Sequence, residues 1–112
     1  MLAIASYLRD RGHSIIFNTA EVFRRHVEAA TVRFIPFGGF ANIDYRHLDE
    51  AFPGRKNFKP GPDQRAYDLR TFFVKTIPDQ YWGIRQIMEE PEIELILTDV
   101  TFMGVFPLLL GG

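Results

Sequence analysis

Apolar positions at the start of the chain recur first with helical spacing and then with strand spacing. Residues 1–11 carry apolar side chains three or four positions apart, and Gly12 stands where the residue after a helix is commonly glycine. Residues 14–19 contain three consecutive apolar residues, which is typical of a strand buried on both faces in a parallel sheet. This opening predicts a helix and then a buried strand. The helical positions are Leu2, Ile4, Ala5 and Leu8.

A second helix and a second strand are predicted directly afterwards. Thr19 is a residue type that caps helix N-termini, and Glu21 lies in the predicted first turn, where the helix dipole favours an anion. Residues 32–37 are predicted to form the next strand. The apolar stripe of the helix consists of Val22, Phe23, Val27 and Ala30.

The middle of the chain is predicted to be a long irregular connection followed by a long helix. Glycine and proline interrupt residues 38–63, so one or two helical turns are predicted only within residues 43–52. Residues 64–90 return to helical spacing. We expect Pro78 to kink or divide this helix and Pro91 to end it.

A last strand and a last helix complete the pattern. Residues 93–98 contain an apolar triplet and predict another buried strand, with Asp99 at its carboxyl end. Residues 102–110 are apolar on all sides and predict a helix interrupted at Pro107. Open α/β sheets bind ligands at the carboxyl ends of their strands, which makes Asp99 a candidate site residue. The alternative is that Asp99 caps the helix that follows it, although Thr101 could do the same.

The alternation of helices and strands predicts an α/β fold with a doubly wound, Rossmann-like parallel sheet, in one partial domain over residues 1–112. A strand should precede the first helix, and the pattern contains none, so the sheet is predicted to be incomplete. In the common strand order 3-2-1-4, that strand would lie in the middle of the sheet. We therefore expect the chain to rearrange, to pair with a second copy, or to receive a strand from a partner.

Composition and charge remove several classes of function. The chain contains 13 Lys and Arg against 14 Asp and Glu, and this net charge of −1 does not favour binding to nucleic acid or to an anionic membrane surface. No apolar run approaches the roughly 20 residues of a membrane span. Because cysteine is absent, disulfides and thiolate chemistry are excluded, and a cytoplasmic location is expected. No metal site is predicted, because His13, His26 and His47 do not share ligand spacing with carboxylates.

The order of residues near the start of the chain points to a family. From Leu2 to Thr19 the sequence has leucine-alanine, leucine, arginine-glycine-histidine, and then an apolar strand that ends in threonine. Together with Phe34-Ile35-Pro36 and Leu95-Ile96-Leu97-Thr98-Asp99, this order resembles the amino-terminal domain of the UDP-sugar-dependent glycosyltransferases that include macrolide and plant natural-product glucosyltransferases. The resemblance spans the chain but only part of that domain. One departure is Ala30-Thr31, where the family commonly has glycine.

This resemblance implies a GT-B fold, in which the amino-terminal domain holds the acceptor and a carboxyl-terminal domain, absent from this chain like the first strand, binds the UDP-sugar. It implies an inverting transfer, in which a histidine removes the acceptor hydroxyl proton and an aspartate, matched by Asp99, orients that histidine. The histidine has no counterpart here, because His13 lies at the opposite end of its strand. The 112-residue chain alone is therefore not expected to be active, and no cofactor is expected in it. The expected acceptor-binding residues are Phe37, Phe40, Thr101 and Phe102.

Alternatives remain open at this point. The aromatic residues after the second strand either line a pocket for a small apolar acceptor or pack in the core. The chain as a whole is either a piece of a glycosyltransferase or a non-catalytic acceptor-binding or assembly module that pairs with itself or with a separate catalytic chain. A structural remnant without a ligand is the third interpretation. The aromatic residues are Phe37, Phe40, Tyr45, Phe52 and Phe58.

Overall fold

The computed structural model describes residues 1–99 and 101–111. Its α-helices are α1 (Leu2–Asp10), α2 (Arg24–Ala29), α3 (Leu48–Ala51), α4 (Pro62–Asp68), α5 (Val74–Met88) and α6 (Phe106–Leu109), and its strands are β1 (Ile16–Thr19) and β2 (Arg33–Pro36). Single 3-10 turns lie at Glu21–Phe23, Gly39–Ala41, Tyr45–His47, Pro53–Asn57 and Met103–Val105, and a π-helical turn spans Leu69–Phe73. The predicted α/β class is confirmed. Across these described residues, no helix is both long and apolar enough to cross a membrane.

The sheet is a parallel pair of strands. Ile16 of β1 lies opposite Arg33 of β2, and the pairing continues to Thr19 opposite Pro36. Both strands fall where the sequence predicts them, and α2 connects them, which is the βαβ unit of doubly wound sheets. The structure is therefore compatible with part of a Rossmann-like fold.

One face of the sheet packs against α1 and α2. Ala5 of α1, Val27 of α2 and Val32 form the buried centre of this layer. The first helix ends as predicted, since Gly12 adopts a φ of +91° and its N–H donates to the carbonyl of Arg9. The side chains packed around the buried centre are those of Leu2, Ile15, Phe17, Ala30 and Phe34.

The connection from α2 to β2 contains a strained residue. Thr31 has a φ of +57°, in the left-handed region that β-branched residues rarely adopt. Glycine adopts this conformation without steric cost. The departure from the family pattern at Ala30-Thr31 thus falls on a backbone position that favours glycine.

The other face of the sheet is separated from α5 by a cavity. Successive side chains of a strand point to opposite faces, so Asn18 and Ile35 face away from the α1 and α2 layer. Glu90, just beyond α5, pairs with Arg33 of β2, with Nη2 and Oε1 2.8 Å apart. Helices therefore lie on both sides of the sheet, which is typical of doubly wound folds.

Residues 93–98 do not form the predicted strand. Leu95 is 75% exposed and Leu97 52% exposed, whereas the sequence pattern predicts a buried triplet. In the described part of the chain, the sheet contains only β1 and β2. The segment consequently lacks a neighbouring strand that could pair with its backbone and cover its side chains. Asp99 follows an unpaired segment and not a strand of the sheet.

The predicted cap of the second helix is also wrong. Thr19 is the last residue of β1, and the turn that leads into α2 begins after Ala20 with no cap from its own side chains. Instead, Asn42 Oδ1 accepts a hydrogen bond from the Glu21 N–H at 2.8 Å. Nearby, the Arg46 guanidinium lies 4.9 Å from the centre of the Phe23 ring. These contacts attach the middle segment to the start of α2.

The predicted helix over residues 64–90 is present as α4, the π-helical turn and α5. Its division falls at Leu69–Phe73 and not at Pro78, which lies inside α5. Pro78 has no N–H to donate to the carbonyl of Val74, and its ring crowds that carbonyl. The π-helical turn ends directly before Val74, the residue whose carbonyl Pro78 leaves without its donor.

Candidate functional site

The carboxylate of Asp99 closes a turn. Its Oδ1 accepts hydrogen bonds from the Thr101 N–H at 2.9 Å and from the Thr101 hydroxyl at 2.8 Å. The following turn, Met103–Val105, begins after Phe102 without a side-chain cap, so Asp99 does not cap it. Both side-chain hydrogen bonds end on Oδ1. Within the described residues, Oδ2 is left for another donor.

Asp99 is held in its charged form. The hydrogen bonds from the backbone and the hydroxyl of Thr101 keep the pKa of the Asp99 carboxyl below its usual range, and partial burial opposes them only in part. The positive amino group of Met1 lowers this pKa further by a smaller amount. The side chain is therefore an anion at neutral pH that can accept hydrogen bonds but cannot donate one.

An aromatic pair joins this turn to the end of the sheet. The rings of Phe37 and Phe102 stack with their centres 5.8 Å apart. Phe37 directly follows β2, and its N–H donates to the carbonyl of Thr19 at 2.8 Å, which extends the pairing to the carboxyl end of β1. The structure thus brings together Phe37, Thr101, Phe102 and Asp99 from the predicted site.

A buried glutamine, which the sequence analysis did not single out, positions the turn after Phe102. Gln80 of α5 is 3% exposed, and its Oε1 accepts a hydrogen bond from the buried N–H of Gly104 at 2.9 Å. A Cβ at Gly104 would lie 2.8 Å from the Tyr81 backbone nitrogen, so only glycine lets the turn lie this close to α5. The spacing of Gln80 in the sequence could have indicated its burial, because it lies four residues after the buried Thr76 and four before the buried Ile84 on the same helix face.

Compared with curated proteins, the chain aligns with UDP-glucosyltransferase B1 of Starmerella bombicola at 31% identity over 116 residues, covering 100% of this chain and 27% of that protein. UDP-glycosyltransferase 2 of Phaeomoniella chlamydospora is 30% identical over 109 residues, covering 94% and 24%. The chain is similar to UDP-glycosyltransferases. A further relative, 4'-demethylrebeccamycin synthase of Lentzea aerocolonigenes, is 26% identical over 104 residues, covering 93% and 24%. No protein-family model and no solved structure matches the chain.

The similarity covers the chain but only a small part of the relatives. The chain spans about a quarter of the length of the UDP-glycosyltransferases that it matches. The expected resemblance to UDP-sugar-dependent glycosyltransferases is confirmed by these sequence similarities.

Phe40, the remaining predicted acceptor residue of this glycosyltransferase-like chain, lies in a different set of contacts. Its N–H donates to Asp79 Oδ2 of α5 at 2.7 Å, and its ring meets the edge of Phe52 at 5.9 Å. Gly39, with a φ of +56°, lets the chain turn beside Asp79, because a Cβ there would lie 2.8 Å from Oδ2.

The other aromatic residues of the middle segment pack against one another. Phe72 has no exposed surface, and its ring lies 5.2 Å from that of Phe52 and 6.2 Å from that of Tyr45. Burial raises the pKa of the Tyr45 hydroxyl, and a hydrogen bond with Thr76 opposes this effect. These rings form a core, which was the alternative to an acceptor pocket.

The three histidines lie apart from the Asp99 turn in sequence and in their contacts. His13 lies between α1 and β1, at the amino end of that strand, and His26 tilts against Phe23 with 6.5 Å between ring centres. His47 lies 3.9 Å from Asp44. The side-chain hydrogen bonds of Asp99 involve Thr101 and no histidine of the described residues. Those residues also contain no group of three or more side chains that could hold a metal ion.

Proposed function

We propose that this chain contributes the acceptor side of a GT-B glycosyltransferase, which transfers a sugar from a UDP-sugar to the hydroxyl of a small apolar acceptor. The observation that carries the proposal is the Asp99 turn, where Thr101 donates to one carboxylate oxygen and the other accepts no hydrogen bond from the described residues. The similarity to UDP-glucosyltransferases supports the reaction class. In this proposal the chain is one partial domain of the macrolide and plant natural-product type, and it works in the cytoplasm.

In the proposed reaction, Asp99 orients a histidine that residues 1–112 do not supply. Oδ2 of Asp99 accepts the N–H of one ring nitrogen, so the other nitrogen is unprotonated and faces the acceptor hydroxyl. As the acceptor oxygen bonds to the sugar carbon and UDP leaves, the histidine takes the hydroxyl proton. The charge of Asp99 then stabilises the resulting imidazolium.

The acceptor would lie against the aromatic pair beside this carboxylate. The Phe37 and Phe102 stack offers an apolar wall at the carboxyl end of the sheet, and Thr101 supplies a hydroxyl next to Asp99. Phe40 belongs to the same proposal, although it packs toward Phe52. The UDP-sugar binds to a separate domain, so residues 1–112 alone are not expected to transfer sugar.

The test is sugar transfer by the complete gene product, measured with a panel of UDP-sugars and a phenol or long-chain alcohol as acceptor. Asp99→Asn keeps an oxygen for the Thr101 N–H but removes the charge, and kcat should fall by about 10²- to 10⁴-fold. Asp63→Asn, at an exposed position in the first turn of α4, is the matched control and should retain activity. Full activity of Asp99→Asn would overturn the role of Asp99.

A second function, a non-catalytic assembly module, is favoured by one observation. The neighbours Leu109 and Leu110 are 73% and 87% exposed, Leu95 is 75% exposed, and contiguous exposed apolar surface marks interaction sites. In this alternative, the chain pairs with itself or with a separate catalytic chain. Light scattering on residues 1–112 measures whether the chain forms a dimer. A stable dimer that also binds an acceptor, together with a complete gene product that transfers no sugar, supports the module.

A further inference from the structure

A second cavity, distinct from the Asp99 turn, lies between the sheet and α5. It has a volume of about 430 Å³, within the roughly 300–1,000 Å³ range of small-molecule sites. Its lining comes from β1, from the end of β2 with the two glycines after it, and from α5. Neither Asp99 nor Thr101 nor Phe102 takes part in it. The polar, aromatic and glycine positions of α5 and β1 in this lining, with Glu90 just after α5, are Asn18, Asp79, Trp82, Gly83, Gln86 and Glu90.

The charges of this cavity disfavour a phosphate-bearing ligand. The charged side chains of its lining are the carboxylates Asp79 and Glu90, and the lining contains no lysine, arginine or histidine. Both carboxylates are already engaged, since Asp79 accepts from the Phe40 N–H and Glu90 pairs with Arg33. A diphosphate would meet repulsion here, whereas a neutral ligand with several hydroxyls finds acceptors and incurs no charge penalty.

The aromatic surface suits a sugar ring. Trp82 is 61% exposed although it lines the cavity, and its ring packs edge-to-face with that of Tyr81, with ring centres 5.0 Å apart. The C–H groups on one face of a pyranose carry partial positive charge, and the face of an aromatic ring carries partial negative charge. Gly83 follows Trp82 and leaves open space at its Cβ position. The Arg85 guanidinium lies 5.8 Å from the centre of the indole ring, so a sugar stacks on the indole face that Arg85 leaves free.

Amide groups complete the polar lining. Gln86 is exposed one helical turn after Trp82 and offers both donor and acceptor atoms. On the opposite wall, Asn18 donates to the carbonyl of Ile35 at 2.8 Å, while its buried Oδ1 has no partner among the described residues. That oxygen has almost no accessible surface, so a ligand hydroxyl reaches it only after a small shift of the amide. Such a hydroxyl would satisfy a costly unpaired acceptor.

We infer that this cavity binds a neutral sugar, with its ring stacked on Trp82 and its hydroxyls bonded to Gln86, Asp79 and Asn18. The inference is independent of the proposed transfer, because it concerns a separate set of residues and direct binding. It also separates this site from a UDP-sugar site, since the carboxylate lining disfavours the diphosphate.

Tryptophan fluorescence tests the inference directly, because Trp82 is the one tryptophan of the chain. The 112-residue chain is titrated with glucose, maltose, UDP and choline, and a saturable change is expected for the neutral sugars alone. Gly83→Leu fills the space beside the indole and should weaken binding by about tenfold or more. Gln86→Ala removes hydrogen bonds and should weaken it by about two- to tenfold.

Two variants on the same helical segment serve as controls. Val74→Leu adds volume at an exposed position of α5, and Glu89→Ala removes an exposed polar side chain just after it; neither lines the cavity. Both should bind within about twofold of the unmodified chain, and circular dichroism verifies that all variants fold. The inference is overturned if neither sugar gives a saturable change, if UDP or choline does so instead, or if Gly83→Leu binds sugar as the unmodified chain does.

Discussion

Residues 1–37 and residues 38–73 are held together by different interactions. The first region consists of regular helices and a parallel ladder around the buried Val27. The second consists of short helices and turns without a strand, and side chains connect them through the aromatic core around Phe72 and a polar cluster around Arg55. The first region is thus stabilised mainly by the backbone hydrogen bonds of regular elements, and the second mainly by contacts between side chains. Both kinds of stabilisation occur in one chain of ordinary globular composition.

The polar cluster of the second region is centred on one guanidinium. Arg55 Nε donates to Asp68 Oδ1 at 2.7 Å and Arg55 Nη2 to Asp68 Oδ2 at 3.1 Å, which is the two-pronged geometry of strong arginine–carboxylate pairs. Arg55 Nη1 also donates to Asp49 at 2.6 Å. These bonds raise the pKa of Arg55, with Asp68 as the largest cause. They join α3, the Pro53–Asn57 turn and α4.

The largest effect should come from Phe72→Ala. This change removes the ring that Phe52, Tyr45 and Phe73 contact, and it should lower the free energy of unfolding by about 3–5 kcal/mol. Urea denaturation measures the loss, and Phe106→Ala, at a ring 52% exposed, should cost far less. If the two variants are equally stable, aromatic packing does not hold the second region.

Val27→Ala is the corresponding change in the first region. Val27 is 1% exposed between α1 and the sheet, so its truncation should cost about 2–3 kcal/mol. Hydrogen exchange sharpens the comparison: Val27→Ala should speed exchange of the β1 and β2 amides, whereas Phe72→Ala should speed exchange mainly in residues 38–73. Val74→Ala, at an exposed position, should leave stability nearly unchanged. Identical exchange patterns for the two core variants would show that the regions unfold as one unit.

Sequence patterns predicted the first region far better than the second. Both strands, the end of α1 at Gly12 and the helix after β1 follow from local spacing, because backbone hydrogen bonds and one apolar face determine them. The Asn42 cap of the Glu21 N–H could not be predicted, because the two residues are 21 positions apart. Pairings of this kind depend on the fold and leave no periodic signal.

Contacts between residues distant in sequence were also the part of the candidate site that could not be predicted. Asp99 and Thr101 are near in sequence, and their grouping was expected, but Gln80 approaches Gly104 from another element. The strand predicted over residues 93–98 is wrong for a related reason. An apolar triplet indicates that a segment can be a strand, while pairing requires a neighbour that the pattern does not specify.

Asp68→Asn should show how much the second region depends on its polar cluster. The change leaves an amide N–H₂ facing a guanidinium donor, and the free energy of unfolding should fall by about 2 kcal/mol, since both partners are largely buried. Asp49→Asn alters the exposed arm of the same arginine and should cost about 0–1 kcal/mol. Equal losses from the two variants, measured by urea denaturation, would contradict a dominant role of the Asp68 pair.

Thr31→Gly should stabilise the first region. The φ of +57° at Thr31 disfavours a β-branched residue, and glycine removes about 1 kcal/mol of strain. Thr71→Gly is the contrasting variant, because Thr71 lies in the π-helical turn and glycine there should destabilise the chain. Thermal unfolding compares them, and a lower melting temperature for Thr31→Gly would contradict the strain at this position.

The smallest effect is expected for Asp99→Asn. The Asp99 carboxylate accepts from the N–H two residues later, as Asp44 in the second region does from the Arg46 N–H at 3.0 Å. The folded-state pKa of Asp99 is lowered, so its stabilising contribution is present above the unfolded-state pKa of about 3.9 and disappears as pH falls through the folded value. The unmodified chain should be slightly more stable than Asp99→Asn at pH 7, and the difference should shrink at pH below about 4.

Urea denaturation of both chains at several pH values isolates Asp99, because the other carboxylates titrate alike in the two proteins and cancel in the difference. A gap between the unmodified chain and Asp99→Asn that stays constant down to pH 2.5 would mean that the charge of Asp99 does not strengthen its bonds to Thr101. The same carboxylate would then be a weak orienting group for the proposed histidine, so this stability measurement also tests the premise of the proposed reaction.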